Sequence, residues 1–154
     1  MPQTDPPLIF RVLNEIGIIE QLSRTILEAH MPKGLIAPHF TVLNHLTRVG
    51  DGSTPMAMAR AFQVPKTSMT HTLAGLEKAG LVEMRPNPED GRSKQVWLTG
   101  AGRALRARII AELAGEYSDL GQALAPERLA AVLPVLTELR VYLDENRRAD
   151  PPVT

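Results

Sequence analysis

The chain has 154 residues, of which 44% are hydrophobic, with 17 basic and 17 acidic side chains and no cysteine. That length and mix fit one folded core, the absent thiols exclude disulfides, thiolate catalysis, cysteine-ligated zinc and iron–sulfur clusters, and a net charge of zero argues mildly against nucleic acid as a partner. The start, MPQTDPPLIF, has no basic leader, and no apolar run approaches the roughly 18 residues of a membrane span, so a cytoplasmic location without membrane attachment is expected.

The first helix should follow Pro6-Pro7, with Ile9, Val12, Leu13, Ile16, Ile19, Leu22 and Ile26 spaced in threes and fours, and end before Met31-Pro32-Lys33-Gly34. Pro38 suits the first turn of a second helix carrying Phe40, Leu43, Leu46 and Val49, which Gly50-Asp51-Gly52 stops. Thr54-Pro55 reads as a cap and first-turn proline for a short third helix through Met58, Ala59 and Phe62. A fourth helix runs from about Pro65 to Ala79, and Gly80-Leu81 closes it. The period then changes to two. Leu81 to Arg85 and Gln95 to Leu98 are β-prone, and Pro86 to Ser93 between them reads as a long polar hairpin tip. Thr99 caps a long fifth helix that includes Leu105, Ile109, Ile110, Leu113 and Leu120, and Pro126 opens a sixth, with Pro134 inside it. Arg147 onward reads as frayed, and 148–154, with Pro151-Pro152, as a disordered tail. The fold class is therefore mainly α with a small β-hairpin.

Two short helices and a hairpin in that order are the parts of a winged helix-turn-helix. On the fourth helix, Met69, Thr72, Leu73 and Leu76 fall on one side, and Thr67, Thr70, His71 and Ala74 on the other, flanked by Lys66 and Ser68. Short hydroxyl and basic side chains facing outward suit insertion into a major groove, where bulky acids would repel phosphates. Charge is also uneven along the chain. From Pro55 to Arg108 nine basic residues stand against four acidic ones, a net +5, while the flanks carry −1 and −4. A basic middle between neutral and acidic ends is expected if only the centre meets phosphates.

The stretch from Met58 to Val82, MARAFQVPKTSMTHTLAGLEKAGLV, closely resembles the MarR family of bacterial regulators. Asp90-Gly91-Arg92-Ser93 is similar to that family's wing tip, and Leu98-Thr99-Gly100-Ala101-Gly102-Arg103 to the junction into its dimerisation helix. The resemblance implies six helices with the wing between the fourth and fifth. It divides the chain into an N-terminal dimerisation helix (1–35), a winged DNA-binding domain (36–98) and C-terminal dimerisation helices (99–147). It implies a homodimer on a palindromic operator in double-stranded DNA, acting as a repressor, with Lys66, Thr67, Ser68, Thr70 and His71 in the major groove. Arg92 would enter the minor groove with Asp90 steadying its guanidinium, and Lys94 would join the wing contacts. It also implies release by a small aromatic or amphipathic effector bound between the dimerisation helices and the winged domain, where His39 is the nearest candidate. No cofactor is implied. Pro65 departs from the family, standing where many members carry a Ser or Asp cap.

Two other functions fit the sequence less well. An enzyme would have to use His30, His39, His45 or His71 with scattered acids, and none of these forms a metal or acid–base motif. A winged helix used for protein contacts would be expected to show larger apolar residues on the outer face of the fourth helix than Thr67, Thr70 and His71.

Overall fold

Local signals fix the helix starts in the computed structural model, which describes residues 5–147. The elements are α1 (Leu8–Ala29), α2 (Ala37–Val49), α3 (Pro55–Phe62), α4 (Lys66–Lys78), β1 (Val82–Asn87), β2 (Asp90–Leu98), α5 (Gly100–Glu116), α6 (Ser118–Ala123) and α7 (Pro126–Glu145). Thr54 Oγ1 accepts the Ala57 N–H at 3.2 Å, and Thr99 Oγ1 accepts the Gly102 N–H at 3.0 Å, so both expected threonine caps are made. Gly80 closes α4 in the left-handed region at φ +72°, a conformation costly for any residue with a Cβ.

Three local expectations are corrected. The long fifth helix divides at Tyr117, giving seven helices among the described residues: Gly115 weakens the end of α5, and Asp119 sits favourably in the first turn of α6. The hairpin tip is tighter than a loop over 86–93, because the ladder runs on to Asn87 and Asp90 and leaves Pro88-Glu89 as the connection. Arg147 is held rather than frayed, its Nη1 donating to the Arg60 carbonyl at 2.7 Å while the guanidinium pairs with Asp144. The disordered tail assigned to 148–154 lies outside the described residues.

The core forms where α2, α3, α4, the hairpin and α5 meet. Val42, Leu43 and Leu46 of α2 pack with Met58 and Ala59 of α3, Met69, Leu73 and Leu76 of α4, Leu81, Val82, Val96 and Leu98 of the hairpin, and Leu105 and Ile109 of α5. Each large side chain removed from water here contributes about 1.5–3 kcal/mol. The strands are antiparallel, with Val82 opposite Leu98 and Met84 opposite Val96 on the core face. Ser53, from the loop before α3, bridges Val96 and ties the hairpin to the helical part.

The hairpin's base is clamped to α5 at two places. Asp51 Oδ1 accepts the Leu98 N–H at 2.7 Å while its Oδ2 accepts from Arg103 Nη2 at 3.1 Å. Gly102 lies so near the Leu81 carbonyl that a Cβ there would fall 2.2 Å from its oxygen, so only glycine admits this approach. At the other edge α1 meets α5 through His30 Nδ1 and Glu112 Oε2, 2.9 Å apart. Among the described residues no helix is long and apolar enough to cross a membrane.

Candidate nucleic-acid interface

Helix α4 is anchored by one side and open on the other. Met69, Leu73 and Leu76 are buried against α2 and α3, whereas Lys66, Thr67, Ser68, Thr70, His71 and Ala74 are all exposed. The helix starts without a side-chain cap, with Pro65 in the extended N-cap conformation rather than the first helical turn. The N–H groups of Lys66, Thr67 and Ser68 have no intrahelical acceptor, and an uncapped helix start of this kind, with a lysine as its first residue, attracts a phosphate. Thr70 Oγ1 donates to the Lys66 carbonyl at 2.9 Å and Thr72 Oγ1 to that of Ser68 at 3.0 Å. With its hydrogen engaged, the exposed Thr70 hydroxyl presents a lone pair and a methyl group outward, suited to amino donors or thymine methyls on base edges.

The turn between α3 and α4 depends on Gln63, which adopts φ +53°, φ being rarely positive for a non-glycine residue, and whose Nε2 donates to the Arg60 carbonyl at 2.7 Å. This sets the angle between the two helices of the motif.

At the wing, Asp90, Arg92 and Lys94 are exposed. Pro86 pairs with Lys94 and Asn87 with Asp90, so Gly91, Arg92 and Ser93 bulge from the ladder. Asn87 Nδ2 donates to Ser93 Oγ at 2.9 Å, and Asn87 Oδ1 accepts the Glu89 N–H at 3.1 Å. Asp90 Oδ1 accepts the Arg92 backbone N–H at 3.0 Å, so its support goes to the main chain of the bulge, where a steadied guanidinium was expected. Lower on the hairpin the Arg85 guanidinium stacks 4.1 Å over the Trp97 ring and pairs with Glu83, a contact that stiffens the outer face.

The other histidines stand apart. His45 meets Phe62 edge-on at 4.9 Å, and burial, followed by the Arg48 charge, pushes its pKa down. His39 is buried at the start of α2. Among the described residues no three His, Cys, Asp or Glu side chains gather as a metal would require. What sequence reasoning missed is the support of the site: the Asp51 clamp, the Gly102 approach, the Arg85–Trp97 stack and the contact of His39 with α4. An Asp between two glycines at a helix stop was the one signal available, since it marks a side chain free to cap a neighbour.

Comparison with known proteins agrees with this geometry. The model of the MarR family matches residues 33–93, which contain both α4 and most of the hairpin. The HTH-type transcriptional regulator PecS of Dickeya dadantii (strain 3937) is 25% identical over 145 residues, covering 93% of this chain and 86% of that one. A mutant MarR from E. coli complexed with operator DNA is 25% identical, with a TM-score of 0.65 over 87% of this chain and 99% of that chain. A MarR protein from Peptoclostridium difficile shares the fold at a TM-score of 0.73 and 18% identity, over 94% and 92% of the two chains. Over residues 33–93 the chain thus matches the MarR family of transcriptional regulators, and over most of its length it has the winged helix-turn-helix fold of the MarR structures.

Proposed function

We propose that this regulator is a repressor that binds a palindromic operator as a homodimer, with residues 36–98 reading DNA and residues 1–35 and 99–147 joining the subunits. The observation that carries the reading is the division of α4 into a buried apolar side and an exposed side of short polar and basic residues over its first two turns. Lys66, Thr67, Ser68, Thr70 and His71 enter the major groove, while Arg92 and Lys94 on the wing meet the adjacent minor groove and backbone. Large apolar residues, which a protein-binding face would carry, are absent from that side of α4. Repression follows from occupancy, since a dimer lying along the operator excludes other proteins from it.

The second copy is supported by the terminal helices. Neither α1 nor α7 has a buried residue, and Leu22, Leu133 and Tyr142 are each about two-thirds exposed. Between the helices lies a groove of about 1160 Å³ lined by Val12, Leu13, Ile16 and Ile19 on one side and Val132, Leu136 and Leu139 on the other. A patch of this kind on a soluble protein calls for a partner, and the same helices of a second subunit are apolar in matching measure. The test is a binding titration against an inverted repeat with half-sites about one helical turn apart and against a single half-site. Preference for the repeat is expected; equal affinity for both overturns the dimeric reading.

A cavity of about 300 Å³ supports control by an effector. It lies between α1 and α4, lined by Glu20, Arg24, Phe62, Ser68, Met69 and Thr72. An aromatic or amphipathic ligand placed there would touch α4 directly and favour a spacing of the two reading helices that does not match DNA. His39 lies near this wall without lining it. Aromatic acids and amphipathic compounds are to be screened for release of bound DNA; inactivity across a broad panel leaves a constitutive regulator.

A further inference from the structure

Helix α2 begins with an imidazole in the place where many helices put a carboxylate. His39 is 8% exposed, and its Nδ1 accepts the Ile36 N–H at 2.9 Å, so the neutral ring carries its hydrogen on Nε2. The far edge of the same ring meets α4. A Cβ built on Gly75 would stand 2.9 Å from His39 Nε2, closer than a side chain tolerates without displacement, with the Cδ2 at an ordinary contact distance of 3.5 Å. Next to it, the Ala37 N–H donates to Glu28 Oε1 at 3.0 Å, which ties this turn of α2 to α1. Gly75 lies one turn beyond His71 on the helix whose outer side faces DNA in the proposed reading.

We propose that His39 is a positioning residue for the DNA-reading helix: its ring, pinned by the Ile36 N–H, is the stop against which Gly75 seats, and so sets how α4 is presented. The inference rests on the proposed DNA reading of α4 for its functional consequence, and on packing alone for its structural one. Gly75 is then required for a reason separate from helix propensity, which it lowers. Protonation of His39 would turn Nδ1 into a donor facing another donor and break the pin. Burial holds the His39 pKa below its ordinary value near 6.5, and the His71 charge adds to it. A base held low in the fold contributes stability above about pH 6.5 that is lost as pH falls from there through the lowered value. The other ionisable groups around this turn are His71 of α4, Glu28 of α1, which accepts the Ala37 N–H, and Glu20 and Arg24 at the cavity wall.

The test is a rescue experiment. Gly75→Ala should lower the thermal midpoint and weaken operator binding by on the order of tenfold, because the added methyl must move either the ring or α4. His39→Asn keeps an acceptor for the Ile36 N–H and removes the far ring edge, so Gly75→Ala/His39→Asn should return both readouts to within about threefold of His39→Asn alone. A second arm follows operator affinity from pH 8 to pH 5 in a His71→Asn background, which removes the imidazole whose protonation would strengthen DNA binding. Affinity should fall with acid there and stay flatter when His39→Asn is added. Gly75→Ala matching the parent in stability and affinity overturns the proposal, as does a folded Gly75→Ala protein that His39→Asn fails to rescue. If Gly75→Ala does not fold, the pH arm decides, and equal acid dependence with and without His39 overturns the proposal. If the parent binds no operator DNA, the DNA reading fails instead, and the thermal midpoints of the same variants decide whether His39 and Gly75 are in contact as described.

Discussion

The winged core and the two terminal helices use similar apolar stripes to different ends. In the core, Leu43, Leu46, Leu73 and Leu76 are covered by their own chain, whereas α1 and α7, longer and also apolar in stripe, have no fully buried residue. One region can satisfy its hydrophobic surface alone; the other leaves its own uncovered and is the proposed subunit interface. Helix α4, the proposed DNA reader, sits at the border between them, buried on one side by the core and linked at Gly75, through the first turn of α2, to α1. Changes in the interface should therefore be read out at the DNA.

The largest effect should come from breaking the uncovered side. Leu136→Glu places a charge in the groove between α1 and α7, and twofold symmetry places it twice in the dimer, at several kcal/mol per unpaired buried charge. Sedimentation should show a monomer at micromolar concentration with the helical content retained, and operator affinity should collapse. A dimer of parental strength would mean that these helices have another partner. Next in size is the covered side: Leu73→Ala should lower unfolding free energy by about 2–5 kcal/mol in a denaturant titration, through lost burial and the cavity left behind. If the two regions differ as described, Leu136→Glu alters association first and Leu73→Ala alters monomer stability first.

A third comparison contrasts the two sides of α4 itself. Lys66→Ala and His71→Ala remove exposed side chains with no core role, so stability should stay within about 0.5 kcal/mol of the parent. Operator affinity should fall by about 1–3 kcal/mol for each if the contact is to a base edge. A loss that is the same for operator and random DNA would assign them to phosphates.

Much of this was legible in the sequence because it is local. Caps at Thr54 and Thr99, the left-handed stop at Gly80 and the two sides of α4 each depend on residues within a turn of one another. The break at Tyr117 was not, since helix propensity there is only slightly unfavourable and a short helix resumes at once. The tip was read as too long because turn-forming residues also tolerate a bulged ladder, as Gly91 to Ser93 do. Beyond reach altogether were contacts between distant residues: Asp51 with Leu98 and Arg103, 47 and 52 positions away, and His39 with Gly75, where a glycine inside a helix gives no hint of what lies against it.

The smallest expected effect lies at the wing, and it separates charge from geometry. Arg92 is exposed on a bulge whose backbone is held by Asp90 Oδ1, so its guanidinium can reach a groove without depending on the core. Its contribution should come from the negative potential of a narrow minor groove and from phosphate neutralisation rather than from base-by-base hydrogen bonds. Arg92→Ala should then flatten the dependence of affinity on salt by about one counterion per subunit and relax any preference for A·T-rich flanks, leaving the palindrome core preference intact. Asp90→Ala keeps the charge and loosens the bulge, so the salt slope should stay near the parental one while the flank preference weakens. Titration of both variants against operators with altered flanks at several salt concentrations distinguishes the two effects. An Arg92→Ala protein with parental slope and parental flank preference would remove the hairpin from the DNA interface and leave α4 as the sole reader.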